Sequence, residues 1–268
     1  MNVSDYGGVF LSILMIVLFF HYVHFSNYQE IRNLQEAYNL AVDQAVEAAL
    51  YDVVEYDGQD SMVINEQEII HAFLQALYIN LGIMEKPMEQ ELCKFYIPYI
   101  LLVEEDGIVP FYQGEPRSDE IVSFHNGEKV LYKIVGEEKD VLYITLSDLV
   151  TYNNTREEIR VEGSYLDIDE ELPEYFQWSY EEFQEQKRNC IIDLIKNYSA
   201  ICINKQNEIA IRYGVYYEFT LPKIEYEDWY RTIQDVSMLV LFQGYPFGNG
   251  LTGRFNRFAF GGARIRKS

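Results

Sequence analysis

The sequence predicts an α+β fold in which one long N-terminal helix precedes a globular domain of helices and antiparallel β-hairpins. Residues 9–56 contain no proline or glycine and read as a single helix. Beyond them, apolar segments alternate with turn signals, but not in the strand–helix–strand rhythm of a parallel sheet. We therefore divide the chain into an N-terminal segment with an anchor (1–25), an alanine-rich helix (26–58) and an α+β domain (59–268).

The N-terminal segment predicts a single retained transmembrane helix. Gly7–Phe25 is nineteen residues without Asp, Glu, Lys or Arg, and at 1.5 Å per residue it spans about the hydrocarbon core of a bilayer. A cleavable signal peptide needs a basic start and small residues at its cleavage site, and neither flank supplies them. His21 and His24 lie at the end of the span, where ring side chains are enriched at membrane–water interfaces. We favour this interfacial role over the alternative that the two histidines bind a metal.

The next helix carries one face of small residues. Four alanines recur every fourth residue, at Ala37, Ala41, Ala45 and Ala49, so they share a face of the helix. Small residues allow another backbone to approach closely. This face predicts a packing surface, either for the chain's own domain or for another subunit.

An apolar span that runs into such a helix resembles the TadE/TadG-like pilus-assembly pseudopilins. The matching residues are Leu34, Gln35, Ala37, Ala41, Val42, Asp43, Ala45, Val46, Ala48 and Ala49. The resemblance covers only about the first 56 residues. It implies an extracytoplasmic domain, a membrane partner, and protein partners that include other subunits of an envelope assembly or copies of this chain.

Two features depart from that resemblance. Prepilins are usually cut after a glycine that follows basic residues, with a glutamate five residues further on. Gly7-Gly8 stands at the right place, but no basic leader precedes it and Ile13 occupies the glutamate position.

Arg32, the one basic residue near either end of the span, would favour a cytoplasmic domain under the positive-inside rule. The side of the membrane is therefore assigned from the resemblance, and processing at Gly7-Gly8 stays open.

Periodicity and turn signals predict the elements of the domain. We expect helices at 61–83, 180–203 and 229–242. We expect β-hairpins at 94–114, with an Asp-Gly turn, and at 128–146, and further strands at 208–222 and 254–267.

Composition and charge restrict the function. The formal net charge is −22 and 49% of the residues are hydrophobic, so the chain has material for a core but lacks the clustered cations that nucleic acid requires. The last fifteen residues reverse this trend, with five basic residues and no acid: Arg254, Arg257, Arg264, Arg266 and Lys267. They are candidates for contact with an acidic partner surface, or they ease repulsion within the chain's own sheet.

No motif predicts catalysis or a cofactor. Gly248, Gly250 and Gly253 match the dinucleotide fingerprint in spacing, but no acid follows as that site requires. The acids between Asp167 and Glu171 lack the spacing of a calcium loop, so a metal site is left undetermined. Three cysteines cannot all pair, and the spacing of Cys190 and Cys202 does not indicate a disulfide framework.

The sequence therefore favours a membrane-anchored, non-enzymatic structural component of a cell-envelope apparatus, either pilus-like or part of a secretion or conjugation assembly. Two alternatives from other classes stay open. The domain is a ligand-binding or sensor ectodomain, or it is a tethered surface enzyme that uses acids such as Asp167 and Asp169.

Overall fold

The computed structural model describes residues 3–57, 61–114, 123–137, 140–154, 156–214, 218–221, 236–246 and 254–262. Within these ranges, the side chains of residues 3–9, 12, 27, 51–57, 61–64, 254–258 and 260–262 lie outside the description. Helices and antiparallel strands are mixed along the chain, which confirms the predicted α+β class.

The helices are α1 (Val3–Val53), α2 (Glu66–Asn80), α3 (Pro87–Phe95), α4 (Tyr165–Ile168) and α5 (Tyr180–Arg212), with 3-10 turns at Asp169–Glu171 and Glu174–Phe176. The strands are β1 (Val54–Asp57), β2 (Ser61–Ile64), β3 (Tyr99–Val103), β4 (Gly107–Gln113), β5 (Phe124–Asn126), β6 (Val130–Leu131), β7 (Lys133–Val135), β8 (Val141–Ile144), β9 (Leu149–Asn154), β10 (Ile159–Ser164), β11 (Ser237–Pro246) and β12 (Arg254–Gly262).

A short hairpin that the sequence did not predict joins α1 to α2. β1 and β2 pair with each other, and Val54 lies opposite Ile64. The predictions that the first helix runs to Tyr56 and that the second starts at residue 61 are therefore wrong at these ends. α2 begins after Asn65, whose side-chain oxygen accepts a hydrogen bond from a backbone N–H of the first turn, as an N-cap residue does.

The larger sheet has six antiparallel strands in the order β12-β11-β3-β4-β5, with β6 also paired to β4. Its β3–β4 hairpin confirms the hairpin predicted around the Asp-Gly turn. Pro110 lies inside β4, opposite Leu101. It is tolerated because β5 and β6 pair with β4 on either side of Pro110 and require no N–H from it.

The smaller sheet has four antiparallel strands in the order β10-β9-β8-β7, and its β7–β8 pair confirms the second predicted hairpin. α5 begins with a capping box between Ser179 and Glu182. Near its start Lys187 reaches the turn before β9, and near its end Gln206 donates to the backbone oxygen of Phe95. α5 also packs on β3 and β4 and so links the two sheets, while α1 packs on α2 and on β11 and β12.

Two segments have a different structure from the one predicted. Residues 208–212, whose alternation predicted a strand, are the last turns of α5. Residues 237–242, predicted as the end of a helix, belong to β11. β11 lies between β3 and β12, and all of its residues from Ser237 to Tyr245 are buried. Such a continuous apolar run does not distinguish a buried strand from a buried helix. The rest of the predicted helix, residues 229–235, lies outside the described residues.

Candidate functional site

The first part of α1 is an apolar helix that the described part of the domain does not cover. Every described large apolar side chain from Phe10 to Phe25 is exposed, from 37% at Val23 to 71% at Tyr22. A helix that is apolar on all sides normally lies within a larger core or within lipid.

Among the residues that the structure describes, no helix is both long enough and apolar enough to cross a membrane. Gly7–Val9 and Ser12, which belong to the span predicted from the sequence, have side chains outside the described set.

The second part of α1 packs into the chain's own domain through most of the predicted alanine face. Ala41 is 6% exposed, and Ala45 and Ala49 are completely buried. Asn80 on α2 donates its Nδ2 hydrogen to the backbone oxygen of Ala41 at 3.0 Å, a close approach that a small side chain permits. Ala37 is exposed, because the domain begins to cover this face of α1 one turn later, and contact of Ala37 with another subunit stays a prediction.

The basic residues near the C-terminus are only partly described. Arg254 and Arg257 lie on β12, opposite Pro246 and Phe242 of β11, and their side chains are outside the description. Arg264, Arg266 and Lys267 lie wholly outside the described residues. The pairing of β12 with β11 places this strand in the chain's own sheet, while contact of its basic residues with a partner stays a prediction.

A buried lysine forms a polar cluster that the sequence analysis missed. The Lys187 ammonium group donates to the backbone oxygens of residues 146–147 at 3.2 and 2.9 Å and to Asp148 Oδ1 at 3.1 Å. Tyr180 and Gln184 donate to the same carboxylate. Positions 180, 184 and 187 share one face of a helix, which is a signal in the sequence, but their partner Asp148 is not deducible from that spacing.

This cluster ties α5 to the turn between β8 and β9. Burial alone would raise the pKa of Asp148, but the hydrogen bonds from the three α5 side chains outweigh it and lower the pKa below its ordinary value. The three acceptors match the three hydrogens of the lysine. Lys187 is therefore a structural contact here, with no hydrogen left over for a substrate.

Asp140 is a buried carboxylate in the smaller sheet. It is 2% exposed, and its Oδ2 accepts hydrogen bonds from Tyr152 at 2.8 Å and from Tyr175. Its Oδ1 has no hydrogen-bond partner among the described residues. A side chain at Gly136 would collide with this oxygen, so glycine lets the β7–β8 turn close over the carboxylate. Burial and the bond to Asp140 raise the pKa of Tyr152. This arrangement joins the turn to β9 and to the 3-10 turn at 174–176.

An apolar groove of about 350 Å³ lies between α3 and the end of α5. Pro87, Met88, Leu92, Phe95, Ile209 and Tyr213 form most of its walls. Gln113 also lines it, but its Nε2 is bonded to backbone oxygens of residues 94, 95 and 97. The size is within the range of small-molecule sites, and the surface is mostly apolar, while Glu91, which also lines the groove, pairs with Lys94.

The described cysteines and histidines do not form a nucleophilic centre. All three cysteines are free. Burial raises the pKa of Cys93 and Cys190, and that of Cys202 to about 11, so these thiols are poorly ionised at neutral pH. Ser123 Oγ lies 3.3 Å from His125 Nε2, yet among the described residues no carboxylate bonds to the other ring nitrogen, as an oriented catalytic base requires.

The candidate metal and dinucleotide motifs add no site to the described structure. The acids from Asp167 to Glu171 lie on the end of α4 and the following 3-10 turn. No group of three or more His, Cys, Asp or Glu side chains in the described ranges is placed to hold a metal ion. Gly248, Gly250 and Gly253 lie outside the described residues.

The chain matches no family model, and no curated protein or solved structure is similar enough to count as a match.

Proposed function

We propose that this chain is a membrane-anchored, non-enzymatic structural component of a cell-envelope apparatus, similar to a pilus-assembly pseudopilin. The observation that carries the proposal is the division of one uninterrupted helix, α1, into two parts. Its first part exposes apolar side chains on all sides, whereas from Ile31 onward it packs against the core of the domain. One stiff element thus joins an apolar segment to a folded domain.

In this proposal lipid covers the first part of α1. Gly7–Phe25 contains twelve Leu, Ile, Val and Phe residues. Each favours the centre of a membrane by roughly 0.3–0.6 kcal/mol, so together they supply on the order of 4–7 kcal/mol. The domain then stands on the extracytoplasmic side, as the resemblance of the first 56 residues implies. Its partners are other subunits of the assembly, copies of this chain among them.

The polar clusters support a structural role for the domain. Lys187 and Asp140, the buried charged groups with the most hydrogen bonds, both fasten turns of the smaller sheet to neighbouring elements. The buried thiols are held away from the ionised form that a nucleophile needs.

Two matched leucines on α1 test the anchor. Leu18 lies within the apolar segment and is 55% exposed, and Leu40 lies beyond it and is 57% exposed. An arginine at the centre of a membrane costs about 2.5–3.5 kcal/mol, which offsets about half of the insertion energy. We expect Leu18→Arg to move the protein out of carbonate-washed membranes and Leu40→Arg to leave it there. If both variants and the wild type behave alike, the anchor is refuted.

The apolar groove favours a second candidate, a ligand-binding ectodomain. In that case a neutral apolar dye such as Nile red should bind with enhanced fluorescence. Leu92→Glu, in the groove wall, should abolish the enhancement, while Leu166→Glu, an exposed leucine on α4 away from the groove, should not. Equal fluorescence in the two variants would remove this candidate.

A further inference from the structure

Two contacts show that α1 and α2 run antiparallel. At one end, Val54 pairs with Ile64 and brings the end of α1 beside the start of α2. At the other end, Asn80 bonds to the backbone oxygen of Ala41. The helical rise gives about 18 Å from Ala41 to the end of α1 and about 21 Å along α2, so the two segments match in length. α2 therefore ends on the side of the domain from which the apolar part of α1 arrives.

The chain turns sharply on that side. Gly82 has a φ of +66°, the left-handed conformation that closes a helix, and the N–H of Ile83 bonds back to α2 at 2.9 Å. Ile83 is buried, whereas Ile79, Met84 and Met88 are 63%, 47% and 88% exposed. We call residues 79–88 the α2–α3 corner.

We infer that the α2–α3 corner is the surface of the domain that faces the membrane and rests on its lipid headgroups. This inference depends on the proposed anchoring of α1. α1 remains helical from Phe25 into the domain, so no flexible link lets the domain turn another surface downward. Three exposed apolar side chains lie on this corner, and their burial at the membrane interface favours a tilt of the domain in that direction.

The distances allow this contact. Burial raises the pKa of Tyr38, and the nearby carboxylate of Glu89 on α3 adds to the shift. Tyr38 stands about 20 Å along α1 from Phe25. If α1 tilts by about 30° from the membrane normal towards α2, and the axes of α1 and α2 lie about 9 Å apart, the corner lies about 12 Å above the hydrocarbon boundary. The headgroup layer fills about 5–7 Å of that height, and the methionine side chains span most of the remainder.

Labels at the two ends of α2 test the orientation. In a Cys190→Ser background, where both remaining cysteines are buried, Met84→Cys and Gln67→Cys each receive a fluorescent donor. Full-length protein is reconstituted in phosphatidylcholine vesicles with an acceptor on the headgroups, since the net charge of −22 disfavours anionic lipid. The labels lie about 20 Å apart along α2. We expect much stronger energy transfer from position 84 than from position 67.

A third label, at Phe19→Cys in the apolar part of α1, reports whether α1 is inserted in lipid. It therefore distinguishes a wrong orientation of the domain from the absence of an anchor. If it is shielded from aqueous quenchers and position 84 is nearer the lipid, the inference stands. If it is shielded but positions 84 and 67 give equal or reversed transfer, the corner does not face the membrane although the anchor holds. If aqueous quenchers reach position 19, the anchor and this inference both fail.

Discussion

Overpacking of the interface around α1 gives a test of the alanine face. Ala45 is completely buried, and Ala45→Leu adds three carbon atoms between α1 and the domain. Insertion of methylenes into a packed core costs about 1–3 kcal/mol. If the site had room, the same atoms would instead stabilise the fold by about 0.8 kcal/mol each. Whether Ala45→Leu lowers or raises the free energy of unfolding therefore shows how tightly α1 packs.

The assay is thermal unfolding of the full-length protein in detergent, followed by near-UV circular dichroism. A domain of this size changes its Tm by about 2–4 °C per kcal/mol, so Ala45→Leu should lower the Tm by roughly 2–12 °C. Ala37→Leu is the matched control, because Ala37 lies on the same helix but is exposed, and its Tm should not change. An unchanged Tm for Ala45→Leu, or equal losses at the two positions, would refute the burial argument.

Three further predictions concern charge, thiols and topology. The lowered pKa of Asp148 means that its contacts stabilise the fold above its ordinary pKa of 3.8 and lose this effect as pH falls through the folded value. Lys187→Met should therefore destabilise the protein near neutral pH and progressively less below about pH 4, as measured by urea unfolding across pH; a pH-independent loss would contradict this. Cys190, which is half-buried, should react with a thiol reagent before the two buried cysteines, and simultaneous reaction of all three would be the contrary result. Protease added to spheroplasts should digest the chain from about Ser26 onward, and complete protection would place the domain in the cytoplasm.

The C-terminal basic residues are tested by deletion of residues 264–268. If they contact an acidic neighbour, the truncated monomer should stay folded while membrane complexes dissociate, and moderate salt should dissociate wild-type complexes because it screens surface charge. Normal assembly of the truncated protein, or its unfolding, would assign these residues to the chain's own fold.

Local signals in the sequence predicted several elements correctly. The hairpin of β3 and β4 has apolar strands on either side of an Asp-Gly turn, and turn chemistry of this kind depends on neighbouring residues alone. The helical reading of residues 9–53 had the same basis, because the absence of proline and glycine is a local property.

Other elements depended on contacts between distant residues. β11 reads like a helix in the sequence, and it is a strand because β3 and β12 bond to its two edges and its side chains are covered on both faces. The end of α5 reads like a strand at residues 208–212, yet it remains helical beside the chain's own core, with Ile209 and Ala210 buried. Here tertiary packing outweighed the local pattern.

The sequence by itself determined the α+β class, the apolar character of the first part of α1 and the acidity of the chain, because composition and short-range periodicity suffice for these. Only the tertiary structure decided that Ala41, Ala45 and Ala49 pack within the domain while Ala37 does not. It also brought Lys187 to Asp148 and directed the α2–α3 corner towards the apolar end of α1. These features join residues that are far apart in the chain, and their positions follow from the packing of whole helices and sheets rather than from any local pattern.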